Sequence, residues 1–249
     1  GGPNIAAAIA VSPTNSHMIA VALNQNGCCS TGPLEFFTDS TKLANSVTAQ
    51  AISQLAFASG TTLYGYSPNV LSQVTVSSTG GTLTQSWSGV VGGNTFQYSG
   101  GLILSSNGQE FNPATGLLLG TFDVGSYGCC EYGPEVLSNA TLNRMFALGQ
   151  TPFFNGFGIT SYSLSQFTPV GVADLSELNV TSYPPATSNF IQWGSNGLAF
   201  ILTPGCCNNS SPQVALLQSP TLLLAASRLA SPLPALRSAS PTVVSHGTG

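Results

Sequence analysis

Ionised side chains are scarce in this sequence. Of 249 residues only 5% are Asp, Glu, Lys or Arg, against about 25% in ordinary soluble domains. Four basic residues in total cannot line a phosphate backbone, which excludes nucleic-acid binding. The same poverty excludes adhesion to an anionic membrane surface. Long apolar runs are missing too. The longest, Ile5–Val11 and Leu222–Ala226, fall far short of the roughly 20 residues of a membrane helix, so the chain is not expected to span a membrane. No stretch places apolar residues at i, i+3, i+4 and i+7, and Glu- or Lys-rich segments are absent, which excludes a helical fold.

Catalytic signatures are lacking as well. There is no Gly-x-Ser-x-Gly elbow, no P-loop and no Gly-x-Gly-x-x-Gly, and no Asp-x-Asp-x-Asp-Gly calcium loop. The two histidines are His17, in an Asn-Ser-His-Met turn, and His246, near the C-terminus. Each reads as a solvated loop residue rather than a general base. The acidic residues are Glu35, Asp39, Glu110, Asp123, Glu131, Glu135, Asp174 and Glu177. Glycoside hydrolysis needs two carboxyls at about 5–10 Å across one cleft. Glu131 with Glu135, and Asp174 with Glu177, are close in sequence but lie in loop-like stretches. No catalytic residue, cofactor or metal site is assigned, and the chain is read as a non-enzyme.

What remains is an uncharged surface of Ser, Thr, Asn, Gln and Gly. It offers little repulsion between copies and few ions to strip of water, so both effects favour self-association. The six cysteines form three adjacent pairs, Cys28-Cys29, Cys129-Cys130 and Cys206-Cys207, each after a glycine. An even count in turn-like contexts points to oxidised thiols and export. Zinc is the rival reading, but its thiolates are usually separated by two to four residues. Neighbouring Cα atoms lie about 3.8 Å apart, below the usual disulfide span of about 4.4–6.8 Å. Bonds between neighbours would be strained, whereas bonds to another pair or chain would not. Three identical local motifs favour the neighbour solution. Asn139, Asn179, Asn208 and Asn209 begin glycosylation sequons, which a chain rich in Asn, Ser and Thr also produces by chance. The start at Gly1, without an initiator Met, fits a removed leader or a piece of a longer chain.

Short runs of Val, Ile, Leu, Phe, Tyr and Thr recur every 8–12 residues or so, punctuated by 28 Gly and 16 Pro. That is the pattern of an all-β fold. A loose repeat of roughly 40–50 residues divides the chain into Asn4–Ala51, Ile52–Val91, Gly92–Gly133, Pro134–Thr181 and Ser182–Ala226. Strands are expected at Ile5–Val11, Met18–Leu23, Leu34–Thr38 and Lys42–Val47; at Ile52–Ala58, Thr62–Tyr66, Leu71–Val76 and Thr82–Ser88; at Gly101–Ser105, Glu110–Asn112 and Leu117–Phe122; at Arg144–Leu148, Gly158–Ser163 and Val170–Leu175; and at Phe190–Trp193, Leu198–Leu202 and Val214–Leu217. Leu222–Ala226 is a further candidate. Trp87 and Trp193 fall on strands, as core aromatics or as a sugar-stacking face.

Phe111-Asn-Pro-Ala-Thr-Gly-Leu-Leu-Leu-Gly-Thr-Phe122 resembles the third-to-fourth strand turn of secreted bacterial YVTN-type (WD40-like) propeller repeats. Pro113 presets φ, Thr115 closes the turn and Gly116 takes positive φ. Ile191–Phe200 is similar to a first-to-second strand corner of such blades, and Ala58–Tyr66 is a weaker copy. The resemblance implies a β-propeller; the five repeat units, fewer than the roughly six to eight blades common in that family, give about five four-stranded blades over residues 4–226, a small or incomplete propeller or one with a blade completed by a neighbouring chain. A β-sandwich is the fallback.

Residues 227–249 read as an extended Pro/Ser-rich tail, suited to lie along a neighbouring subunit or its own body. The function expected is an extracellular structural protein that self-associates into a filament or surface layer. The alternatives are a secreted module binding carbohydrate or protein and, third, a hydrolase or lactonase-like propeller enzyme.

Overall fold

The computed structural model describes residues 4–25, 32–48, 51–67, 69–125, 134–151, 156–175, 178, 186–194, 197–203 and 212–218. Every element among them is a strand. The chain divides into two compact units: Gly1–Ser105 with Glu110–Leu119, and Ser106–Gln109 with Gly120–Gly249. The tail at residues 227–249 and the strand expected at Leu222–Ala226 lie outside the described residues.

Unit 1 carries three antiparallel sheets. The first contains β1 (Asn4–Val11), β2 (Met18–Gln25), β3 (Pro33–Thr38), β4 (Thr41–Lys42) and β5 (Val47–Thr48). The second contains β6 (Gln54–Phe57), β7 (Thr62–Ser67), β8 (Val70–Ser77) and β9 (Gly80–Ser88). The third contains β10 (Phe96–Ser99), β11 (Leu102–Ser105), β12 (Gln109–Asn112) and β13 (Leu117–Thr121). Unit 2 carries the fourth, of β14 (Glu135–Asn139), β15 (Arg144–Gln150), β16 (Phe157–Ser163) and β17 (Pro169–Asp174). It also carries the fifth, of β18 (Ala186–Trp193), β19 (Gly197–Thr203) and β20 (Gln213–Gln218). The five sheets are the blades of a β-propeller, and their limits follow the sequence repeat.

Two details differ from the sequence reading. The single strand expected at Lys42–Val47 is two short ones: Thr41–Lys42 closes a hairpin on Thr38, and Val47–Thr48 pairs with β3 further along. Asn45, between them, bridges instead to Gly80 of the second sheet, so the backbone leaves one ladder to join another. The strands Phe96–Ser99 and Glu135–Asn139, each first in its sheet, were not expected; both are short and partly polar.

The turn at Asn112–Gly116 forms as its residues dictate. Asn112 Oδ1 accepts the Ala114 N–H at 3.0 Å, and its carbonyl accepts the Gly116 N–H at 2.8 Å. Gly116 sits at φ 72°, where a side chain would be strained.

The core follows the two-residue period of the strands. Ala20, Ala22, Leu34 and Phe36 of the first sheet meet Leu63, Val74 and Val76 of the second. Gly81 of β9 has no side chain because the Phe36 ring occupies that space: a Cβ there would lie 2.3 Å from Phe36 Cε2. Tyr64, Tyr66 and Leu71 on the other face of the second sheet pack on Phe96, Ile103 and Phe111 of the third. The Tyr66 hydroxyl donates to the Gly93 carbonyl at 2.7 Å, locking the approach to β10. Tyr66→Phe orphans that carbonyl and should lower the unfolding free energy by about 1 kcal/mol, read as an earlier urea midpoint at unchanged slope. In unit 2 Leu137, Phe146, Leu148 and Ile159 pack against Phe190, Leu198, Phe200 and Leu217.

Candidate functional site

The last sheet buries one face and bares the other. On β18 the side chains of Phe190 and Gln192 turn toward the fourth sheet, Phe190 into the shared core and Gln192 to accept the Asn139 amide at 2.5 Å. Ile191 and Trp193 therefore point the opposite way and are 52% and 42% exposed. The register places Ala199 beside Ile191 and Gly197 beside Trp193, then Leu216 beside Ala199 and Val214, 62% exposed, beside Ile201. A Cβ on Gly197 would fall 2.5 Å from Trp193 Cε2, so the indole lies directly over this glycine, held but open to solvent. The resulting face carries no ionised side chain.

The first sheet does the same. Ala10, Ala20, Ala22 and Phe36 are turned to the second sheet. On the other face, Ile9 lies in register with Val21 and Glu35, and Val11 with Ile19 and Phe37. Ile9 and Val11 are 61% and 55% exposed. The charges on this face neutralise each other: Lys42 Nζ lies 2.5 Å from Glu35 Oε1. The outer strand of the third sheet adds three exposed leucines, Leu117, Leu118 and Leu119, on an edge without any charge to discourage strand pairing.

The expected site residues divide sharply. All six cysteines, Asn179, Asn208, Asn209, Glu131, Glu177 and His246 lie outside the described residues. Asn139 has its amide engaged, donating to Gln192 while its Oδ1 accepts the Leu142 N–H at 2.9 Å. Trp87 packs edge-on against Phe111, with centroids 5.4 Å apart, as a core aromatic. Trp193 is the exposed one.

His17 was read as an isolated loop residue, and its ring is indeed solvated. Yet its Nδ1 lies 2.6 Å from Asp39 Oδ1 across two adjacent turns. Asp39 occupies positive φ at the head of the two-residue loop from β3 to β4. Sequence reasoning missed this pair because 22 residues separate its members; the register of β2 on β3 supplies the proximity. Among the described residues no hydroxyl is seen to bond the other ring nitrogen.

Glu135 and Asp174, the two members of the sequence-adjacent acid pairs that lie among the described residues, do not form a hydrolytic pair with each other. Asp174 is in register with Gly158, whereas Glu135 shares a row with Leu148 and Ile159. The two acids thus project from opposite faces of the fourth sheet, three strand spacings or about 14 Å apart. Glu110 is buried on β12, and burial pushes its carboxyl above the ordinary range. Burial pushes Glu135 up to about 7. Tyr162 is pushed up to about 12 by burial first and by Asp123 second, and its hydroxyl donates to the Asp123 carbonyl.

No family model matches the chain, and no curated protein matches it. Solved structures do. Hydrazine synthase of Kuenenia stuttgartiensis superposes with a TM-score of 0.61 at 11% identity, over 87% of this chain and 63% of that one. A putative 6-phosphogluconolactonase from Bacteroides uniformis gives 0.55 at 11% identity, over 96% and 70%. Sqt1 of Saccharomyces cerevisiae gives 0.52 at 12% identity, over 86% and 59%. The chain therefore spans less than two thirds of the first of these. At such identities the likeness is one of fold.

Proposed function

We propose that this protein is a self-associating structural unit of the extracellular space, a secreted propeller repeat of the YVTN type. Copies join head to tail: the bare face of the last sheet in one copy covers the bare face of the first sheet in the next. The observation that carries this reading is the exposure of Ile9, Val11, Ile191, Trp193 and Val214 on these two faces. Exposed apolar patches of this kind mark interaction surfaces. Inside each unit, neighbouring sheets bury the same kind of face against each other. On the first and last sheets the corresponding faces carry these exposed side chains.

A second copy is the occupant that fits the charge pattern. One face is uncharged and the other carries a single internally neutralised ion pair, so joining them strands no ion. Because the two faces differ, the contact is heterologous and propagates into a filament or closes into a ring.

Area sets the strength. Three strands about 4.8 Å apart and about seven residues long outline roughly 330 Å². Two such faces bury roughly 700 Å² in total, below the roughly 1,200–2,000 Å² of stable complexes. A second contact is needed, and the tail at residues 227–249, added along a charge-free edge such as β13, would supply it.

Sedimentation velocity tests the reading. The unaltered protein should form species larger than the monomer that grow with concentration. Ile9→Asp and Val214→Asp should each be monomeric with unchanged thermal midpoints, since both side chains are solvent-facing. Mixed together they should form a dimer and stop, each supplying the face the other has lost. Monomer at about 100 μM for the unaltered chain would end the proposal. A second reading, a secreted module that binds carbohydrate, rests on the exposed indole of Trp193 over Gly197. It predicts a monomer whose glycan binding is lost in Trp193→Ala.

A further inference from the structure

Arg144 opens β15 and sits in register with Asn139 on one side and Ser163 on the other. It shares its face with Phe146 and Leu148, whose side chains belong to the core between the fourth and fifth sheets. The residue is only 6% exposed. Among the described residues its guanidinium makes one hydrogen bond, from Nη1 to the carbonyl of Asn143 at 3.4 Å. No carboxylate among the described residues lies within ion-pair distance; the two ion pairs there are His17–Asp39 and Lys42–Glu35. A guanidinium stays charged under all ordinary conditions, and a buried charge is normally paired. Burial destabilises this one, lowering its pKa.

The guanidinium is not sealed in. Among the described residues the enclosed side-chain atom without a partner is Asn24 Oδ1, so the unbonded nitrogens of Arg144 reach solvent. Among the described residues, the polar side chains in register with it or next to it in the chain are neutral and held by hydrogen bonds. The Asn139 amide is held between Leu142 and Gln192. Asn143, at φ 51°, donates its amide to Ser165 Oγ at 3.0 Å, and Ser163 Oγ lies 3.3 Å from the same hydroxyl.

We propose that Arg144 anchors a binding site for a carboxylate. The planar fork matches a carboxylate with two parallel hydrogen bonds. Charge selects the ligand further. One guanidinium in a neutral collar balances one negative charge, whereas a phosphate or sulfate dianion would leave one uncompensated in a partly dehydrated place. The hydroxyl and amide collar suits a carboxylate on a hydroxylated body, the chemistry of a sugar acid. The same carboxylate chemistry could come from an acidic side chain of a second copy.

The chain has three arginines, Arg144, Arg228 and Arg237, so the Nε–H signals in a nitrogen-15 spectrum are few, and Arg144→Lys identifies the relevant one. Titration with acetate and with glucuronate should shift that signal saturably, glucuronate at several-fold lower concentration, while chloride and glucose leave it in place. Glucuronate should raise the thermal midpoint of the unaltered protein and leave Arg144→Lys, which keeps the charge but loses the fork, unmoved. If the carboxylate comes from another copy, the signal instead moves with protein concentration, and added acetate reverses that movement. An Nε–H signal indifferent to both acids and to protein concentration overturns the proposal. So does a signal displaced by Glu131→Gln or Glu177→Gln, which would reveal a partner within the same chain.

Discussion

Phe36→Ala is expected to lower the free energy of unfolding by about 4 kcal/mol, the cost of emptying a large, fully buried aromatic site. Phe36 has no exposed surface and fills the place of a side chain on Gly81, joining the first sheet to the second. Gly81→Val attacks the same contact from the other side. Its new Cβ would sit 2.3 Å from the Phe36 ring and 2.9 Å from Val74 Cγ1, so the ring must move, at about 1–3 kcal/mol. The two changes should not add. With the ring gone the valine occupies part of the cavity, and the double variant should be more stable than the sum of the single losses by about 1 kcal/mol or more. Urea unfolding of the four proteins measures the coupling. Simple additivity would mean that the sheets adjust independently, and the packing argument would fail.

This contact also marks how far the sequence could be read. The alternating pattern of β3, Leu34 and Phe36 inward with Glu35 outward, is legible in the chain, as are the five repeats and the Asn112–Gly116 turn, because each rests on local chemistry. That Gly81 is small for the sake of a ring some 45 residues away is not local and could not be read. The strands Phe96–Ser99 and Glu135–Asn139 were missed for a related reason. Phe96 owes its position partly to an N–H bonded at 2.6 Å to Gln54 Oε1 of another sheet, and Glu135 carries a charge that argues against burial. The candidate faces were half visible. Trp193 and Val214 were placed on strands, but which face a strand exposes depends on what lies opposite, and a period of two cannot tell inside from outside. His17–Asp39 and the lone guanidinium of Arg144 were invisible for the same reason: both are facts of register.

Glu135 should make the protein less stable as pH rises through the neutral range, by about 2–3 kcal/mol between pH 4 and pH 8. Its carboxyl lies on the face of the fourth sheet with Leu137, in register with Leu148, and burial lifts its pKa from 4.5 to about 7. In the unfolded chain the group releases its proton near 4.5, while the folded protein holds it to about 7. Across that window the folded state binds more protons, so stability falls as pH increases. A separation of roughly two and a half pH units corresponds to about 3 kcal/mol at most, reduced where relaxation admits water. Glu110, also raised by burial, acts in the same direction. Glu135→Gln keeps the shape without the ionisation. It should match the unaltered protein near pH 4 and exceed its stability by about 2 kcal/mol at pH 8, with a flatter profile between. The scarcity of charge that dominates the sequence makes this readable: with 8 acids and 4 bases in the chain, few other groups titrate across the window. Equal slopes for the two proteins between pH 4.5 and 7 would show that Glu135 is solvated in the fold, and the burial of β14 against the last sheet would have to be redrawn.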